Sequence, residues 1–240
     1  MTPTQTPTTT ATPTPTATFT PRPITLIGCQ IKDNTTGGSN TIVITPSSGV
    51  QQNDLVVASI SALSGSVTIT PPAGWHLVVG PDVAGSTPDY TQAYYWHAVA
   101  SGEGGTPQYT FTLSASVRAQ SGVIAYRGTC LNNTTGPCST PVQAASSGVT
   151  NASKNSNAGG SAIPVTQNGE VATMFGASVS TVPLVNNSNF SQICLGAVNG
   201  GLNVAHAKET SSGADGPFTA TQGAAGDNIG DAASILPQTN

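Results

Sequence analysis

Residues 54–70 read DLVVASISALSGSVTIT, and this stretch decides the fold class. It contains two short runs rich in β-branched residues, 54–63 and 66–70, which are separated by a Ser-Gly pair typical of turns. Neither run has the apolar spacing of three and four residues that indicates an amphipathic helix. We therefore expect both runs to be strands.

The same pattern continues on both sides of this stretch. From Ile24 onward, short β-branched or alternating runs are separated by clusters of Gly, Pro, Asn and Ser, and no segment has sustained helical periodicity. The other predicted strands are 24–31, 41–45, 75–80, 91–99, 108–114, 121–128, 169–179, 203–209, 217–223 and 231–237. A dozen or more strands at this spacing predict an all-β head, a two-sheet antiparallel sandwich that is jelly-roll or immunoglobulin-like in layering.

The composition changes abruptly near residue 24, which divides the chain into a tail, residues 1–23, and one head, residues 24–240. Prolines recur at odd positions of the tail and exclude a helix, because each removes a backbone donor and pushes the preceding residue into the extended region. The tail is therefore predicted to be extended. Threonine occupies every even position from 2 to 20 and supplies the candidate O-glycosylation sites: Thr2, Thr4, Thr6, Thr8, Thr10, Thr12, Thr14, Thr16, Thr18 and Thr20.

Three states of the tail remain open. As polyproline II, with three residues per turn, it would spread the threonines around the axis and present hydroxyls for dense O-linked sugar on every side. As a β-strand, it would lose donors along one edge only and could pair with another molecule through the threonine edge. A disordered linker is the third possibility.

Charge argues against several classes of partner. Only 7% of residues are charged and the net charge is −4. The six basic residues are scattered along the chain, so they form no stripe that could neutralise phosphates, and we expect no nucleic-acid partner. No apolar run approaches the length of a membrane span. A neutral surface rich in hydroxyls suits an extracellular or cell-surface protein whose solubility comes from attached sugar.

The four cysteines predict two disulfides. Cys130 and Cys138 bracket a turn-rich loop that can close on itself, which leaves Cys29 to pair with Cys194. This pairing implies an oxidising compartment. Four buried free thiols in a reducing cell are the alternative.

The sequence gives no positive sign of catalysis, a cofactor or a metal site. A GxSxG motif is absent, and the histidines stand singly in strand-like runs. Asp227 and Asp231 are close in a Gly-rich loop, but a solvated loop explains them better than a cation site. Three aromatic residues are possible sugar contacts, namely Trp75, Tyr94 and Trp96. The alternative places Trp96 between the sheets and Trp75 over a sandwich edge.

A family resemblance is carried by the succession DLVVASISA, TPPAGWHLV, YYWHAVASGE, QYTFTLS, GVIAYRG and DAASILP. It resembles a β-sandwich domain that recurs in bacterial surface, phage-associated and other extracellular proteins, often beside Thr/Pro-rich stretches. The resemblance implies a fold and a location more than an activity. The layout of tail and head is also similar to subunits of glycosylated extracellular fibrils.

These observations predict a glycosylated structural subunit of an extracellular filament or surface assembly, polymerising through contacts between the tail of one copy and the head of the next. The alternative is a carbohydrate-binding or adhesive module on a Thr/Pro stalk. A hydrolase is the third possibility, because paired carboxylates can be remote in sequence.

Overall fold

In a computed structural model, the regular structure of the described part of the head is almost entirely β-strand. The structure describes residues 21–34, 37–84, 89–133, 137–150, 157–160, 163–166, 169–178, 184–185, 191–197, 201–208, 213–215, 218–221 and 228–239. The predicted tail threonines lie outside these ranges. Within them, the one helical element is a 3₁₀ turn at Cys130–Asn132.

Strands of the first half run from residue 25 to residue 127. They are β1 (Thr25–Asp33), β2 (Ser39–Ile44), β3 (Leu55–Ala62), β4 (Ile69–Thr70), β5 (Trp75–Ala84), β6 (Tyr90–Ala98), β7 (Tyr109–Val117) and β8 (Ala119–Arg127).

Strands of the second half run from residue 142 to residue 235. They are β9 (Val142–Thr150), β10 (Asn157–Gly160), β11 (Ile163–Val165), β12 (Val171–Ser178), β13 (Leu184–Val185), β14 (Ser191–Ala197), β15 (Gly201–Lys208), β16 (Gly213–Asp215), β17 (Phe218–Thr221) and β18 (Asn228–Ile235).

All pairings between these strands are antiparallel. Sheet I has the order β1-β8-β3-β6-β5 and sheet II has the order β2-β7-β4. Sheet III has the order β14-β15-β12-β18-β9, sheet IV has the order β10-β17-β13, and β11 pairs with β16. The predicted all-β antiparallel sandwich is therefore confirmed, and the described sheets form more layers than the two that the sequence predicted.

The first core lies between sheets I and II. Ile42 and Phe111 of sheet II pack against Val56, Tyr95 and other residues of sheet I, and this cluster is almost wholly shielded from solvent. Strand β7 alternates buried and exposed residues along Tyr109–Leu113, as expected when one face of a strand covers a core and the other meets water. Sheets I and II thus form a complete sandwich within the first half.

A second core lies between sheets I and III. Leu55 and Tyr94, on the other face of sheet I, pack with Phe175 and Ile235 of sheet III. Sheet I is consequently buried on both faces, which explains why β3 reads as a nearly continuous apolar run. The opposite face of sheet III is also buried at Met174, and β10 and β11 contact β9 and β18 of that sheet.

Candidate functional site

The structure corrects the proposed sugar-contact face. Trp75 is buried in the core between sheets I and II, where it stacks on His97, and Tyr94 is buried between sheets I and III. Neither ring can contact a sugar, because each side chain is buried between two sheets. Trp96 is half-buried beside the second core and stacks on the exposed His76 with ring centroids 4.3 Å apart. The alternative prediction placed Trp96 between the sheets, and this holds in part because Trp96 is half-buried beside the second core. It placed Trp75 over a sandwich edge, whereas Trp75 is a core residue.

A cluster around His97 closes one end of the first sandwich. The ring stacks on Trp75 and meets Tyr109 edge-on. Its Nδ1 lies 2.8 Å from the carbonyl oxygen of Gly74, and its Nε2 lies 2.8 Å from a carboxylate oxygen of Glu103. Both ring nitrogens therefore face acceptors, so any N–H that the ring carries has a hydrogen-bond partner.

Glu103 anchors the loop that follows β6. Burial by itself would raise the pKa of Glu103, but hydrogen bonds from His97, the Ala100 N–H and the Tyr109 hydroxyl hold the pKa below its ordinary value. The carboxylate thus ties a loop to the core.

A second polar cluster is buried between sheets I and III. Gln92 on β6 donates to Asp231 on β18 at 2.7 Å, and the Tyr94 hydroxyl is hydrogen-bonded to the Thr173 hydroxyl. The other carboxyl oxygen of Asp231 and one oxygen of Asp82 on β5 are buried without a hydrogen bond. Burial raises the pKa of Asp231 well above its usual range; the bond from Gln92 opposes this rise, and Asp82 adds to it. One carboxyl of the pair must therefore hold a proton or carry an uncompensated charge.

The two disulfides join Cys29 to Cys194 and Cys130 to Cys138, the connectivity that the sequence predicted. The first links β1 of sheet I to β14 of sheet III, with the Cα atoms 6.1 Å apart. The second closes the loop between the two halves. Both bonds fit an oxidising compartment.

An apolar groove lies at one edge of the first sandwich, between β4, the edge strand of sheet II, and β5, the edge strand of sheet I. It has a volume of about 450 Å³, and its apolar lining includes Val67, Ile69, Leu77, Pro81 and Val83. The exposed large apolar side chains in the described part of the head are Val43, Leu77 and Val83, so two of the three line this groove. This groove was not predicted from the sequence, because its walls come from β4 and β5, which are edge strands of two different sheets.

In the described ranges, no three His, Cys, Asp or Glu side chains come together in a way that could hold a metal ion. Within the same ranges, no helix is long and apolar enough to cross a bilayer. Asp231 is buried against sheet I, whereas Asp227 lies outside the described residues.

Comparisons with known proteins identify no relative: no protein-family profile, curated protein or solved structure matches this chain.

Proposed function

We propose that the protein is a structural subunit of an extracellular filament or surface assembly, in which the tail of one copy docks in the β4–β5 groove of another head. The observation that carries this proposal is the groove itself. Apolar side chains exposed along one edge of a sandwich are characteristic of a surface that is covered by a partner.

The tail has the chemistry that such a groove would accept. In an extended conformation successive side chains alternate between two faces. The odd face of the tail is mostly apolar, since it carries Phe19, Ala11, Ala17 and the prolines. The even positions from 2 to 20 are all threonine. An extended tail could thus bury its odd face in the groove while its threonines, with any attached sugar, remain in water.

The backbone of the tail suits the same contact. Residues at even positions keep their N–H groups, and these groups point to one edge of an extended strand. Among the described strands, β4 and β5 each pair on one side only, so each presents an open sheet edge. Strand addition to either edge would combine main-chain hydrogen bonds with the burial of alternate side chains.

The position of the tail favours a contact between copies. Arg22 donates its backbone N–H to Gln238 at 2.9 Å, next to β1, and β1 is the edge of sheet I opposite β5. The twenty residues before Pro21 span about 60 Å as polyproline II. A tail that leaves one edge and docks at the other edge of a neighbour makes a heterologous contact, which propagates as a filament unless rotation closes a ring.

Charges placed in the groove test the proposal. Leu77→Glu with Val83→Glu should leave a folded head, because both side chains are about half exposed, and should abolish polymers in negative-stain images. Val43→Glu is the matched control, since Val43 is equally exposed but lies on β2, away from the groove. Normal filaments from the double variant would sink the docking site, and filaments from a chain lacking residues 1–23 would sink the role of the tail.

A carbohydrate-binding or adhesive module remains the second candidate. Its support is narrower, because Trp75 and Tyr94 are buried and only the Trp96–His76 stack lies near the surface. Monodisperse particles that bind a polysaccharide, with binding lost in Trp96→Ala, would favour it.

A further inference from the structure

The two halves of the head repeat one strand order. Sheet I reads β1-β8-β3-β6-β5, and sheet III, taken from its other edge, reads β9-β18-β12-β15-β14. Sheet II reads β2-β7-β4 and sheet IV reads β10-β17-β13. When the strands of the second half are numbered from one to eight in chain order, with β11 and β16 left out, each one has the same place in sheets III and IV as the strand of that number has in sheets I and II. The additional strands β11 and β16 pair with each other, and in the first half a single bridge between Val50 and Gly105 occupies their place.

Two of the irregularities in strand pairing recur at matching positions of the two halves. Strand β1 has a bulge between Leu26 and Gly28, next to the pair Leu26–Tyr126. Strand β9 has a bulge opposite the Ser234–Ile235 step of β18, next to the pair Val142–Ile235. Strand β5 has a bulge directly before Val79, and β14 has one directly before Cys194. Bulges are designed features of a strand pairing, so two coincidences of this kind indicate common descent of the halves.

The loop before the central strand also recurs. The first half reads VQQNDL from Val50 and the second reads VTQNGEV from Val165. In each, the acid before the strand accepts the N–H of the residue that follows the valine: Asp54 from Gln51 at 2.7 Å, and Glu170 from Thr166 at 2.9 Å.

The second loop is one residue longer, and its acid is one methylene longer. The residue before each acid has a left-handed backbone, with φ of 67° at Asn53 and 86° at Gly169. Asparagine and glycine are the residues that accept this conformation most readily.

The contacts between sheets I and III have two-fold character. Strand β1 contacts β14 while β5 contacts β9, and β8 contacts β15 while β6 contacts β18. When the corresponding strands of each half are numbered from one to eight, strand 1 of either half contacts strand 5 of the other. Strand 8 of either half likewise contacts strand 6 of the other. Such reciprocity defines an isologous interface between two copies of one subunit.

We propose that the head is an internal duplication: two copies of one sandwich module joined through a two-fold interface, so that the face of sheet I is a docking surface whose fitting partner is a second copy of the same module. The interface has been made asymmetric by a disulfide at one edge and the Asp82–Asp231 pair at the other. This inference is independent of the filament.

The symmetry predicts a disulfide that the protein lacks. The registers equate Cys194 with Val79 and Cys29 with Ala145, so the pair Val79–Ala145 is the two-fold mate of Cys29–Cys194. Val79→Cys with Ala145→Cys should therefore form a third disulfide during oxidative folding, recovered as one linked peptide under non-reducing conditions. Val79 is half-buried and Ala145 is exposed, so both positions tolerate the change.

The matched control is Leu77→Cys with Ala145→Cys. Leu77 lies on the groove side of β5, opposite to the interface, and should give no such link. A folded Val79–Ala145 variant with two free thiols overturns the two-fold relation.

A circularly permuted chain provides a second test if the Val79→Cys, Ala145→Cys variant does not fold. Each module is contiguous in sequence, and Arg22 and Gln238 are already hydrogen-bonded neighbours. A chain running from residue 138 to 239, through a short Gly/Ser linker, to residues 21–133 should therefore fold and form the Cys29–Cys194 bond. Failure of that chain to form this bond would overturn the modular part of the proposal.

Discussion

Replacing Asp231 by Asn should stabilise the protein at neutral pH. In the native head one oxygen of Asp231 accepts from Gln92, while the other and an oxygen of Asp82 are buried without donors. The asparagine carbonyl can keep the bond from Gln92. Its amide can donate toward Asp82, so the change supplies without a bound proton the donor that native Asp231 has only when it is protonated.

The magnitude follows from proton linkage. The pKa of Asp231 is raised well above its usual range by burial first, so the native state binds a proton that the unfolded state releases above about pH 4. Holding that proton costs roughly 1.4 kcal/mol for each pH unit until the folded pKa is reached. Wild-type stability is thus fully present in acid and declines as pH rises. We expect Asp231→Asn to be more stable by about 1–3 kcal/mol at pH 6, and the difference to vanish near pH 4.

Urea unfolding from pH 4 to pH 8 measures this difference. Asp33→Asn is the control, because Asp33 is an exposed aspartate at the end of β1 and should shift stability by less than about 0.5 kcal/mol at any pH. A destabilised Asp231→Asn, or a stability difference independent of pH, would refute the reasoning and show that the ionised carboxylate is compensated in the native state.

Three further predictions concern the loop anchor and the tail. Glu103→Gln should cost only about 0.5 kcal/mol at pH 7, because the carboxylate is partly exposed, and the cost should disappear as pH falls through the lowered pKa of Glu103; thermal melts at pH 3 and pH 7 check this. Tail threonines should carry O-linked sugar, so the intact mass of native material should exceed the 23.9 kDa of the bare chain. Thr8→Pro with Thr14→Pro should impair polymerisation in negative-stain images, because it removes donors from the pairing edge, whereas Ala11→Pro with Ala17→Pro should be much milder; equal filaments from both would favour a polyproline rod.

Much of the fold was readable from local chemistry. Regular turn residues and β-branched runs predicted the strands of the first half, and the short loop between Cys130 and Cys138 predicted the disulfide pairing. The sequence did not predict β9, β10, β11, β13, β14 or β16. Strand β9 was missed because VQAASSGVT is rich in Ala, Ser and Gly, which have weak strand propensity. It forms a strand because β18 pairs with it along its length.

The sequence by itself therefore determined the strand chemistry, the cysteine pairing and the parity of the tail, because each depends on neighbours in the chain. Only the tertiary structure decided what covers each strand. Trp75 and Tyr94 lie on opposite faces of sheet I, and both are buried because a second layer packs on each face. The apolar groove, the Asp82–Asp231 contact and the two-fold interface likewise join strands that are distant in the chain, and no local pattern encodes which sheet edges and faces will meet.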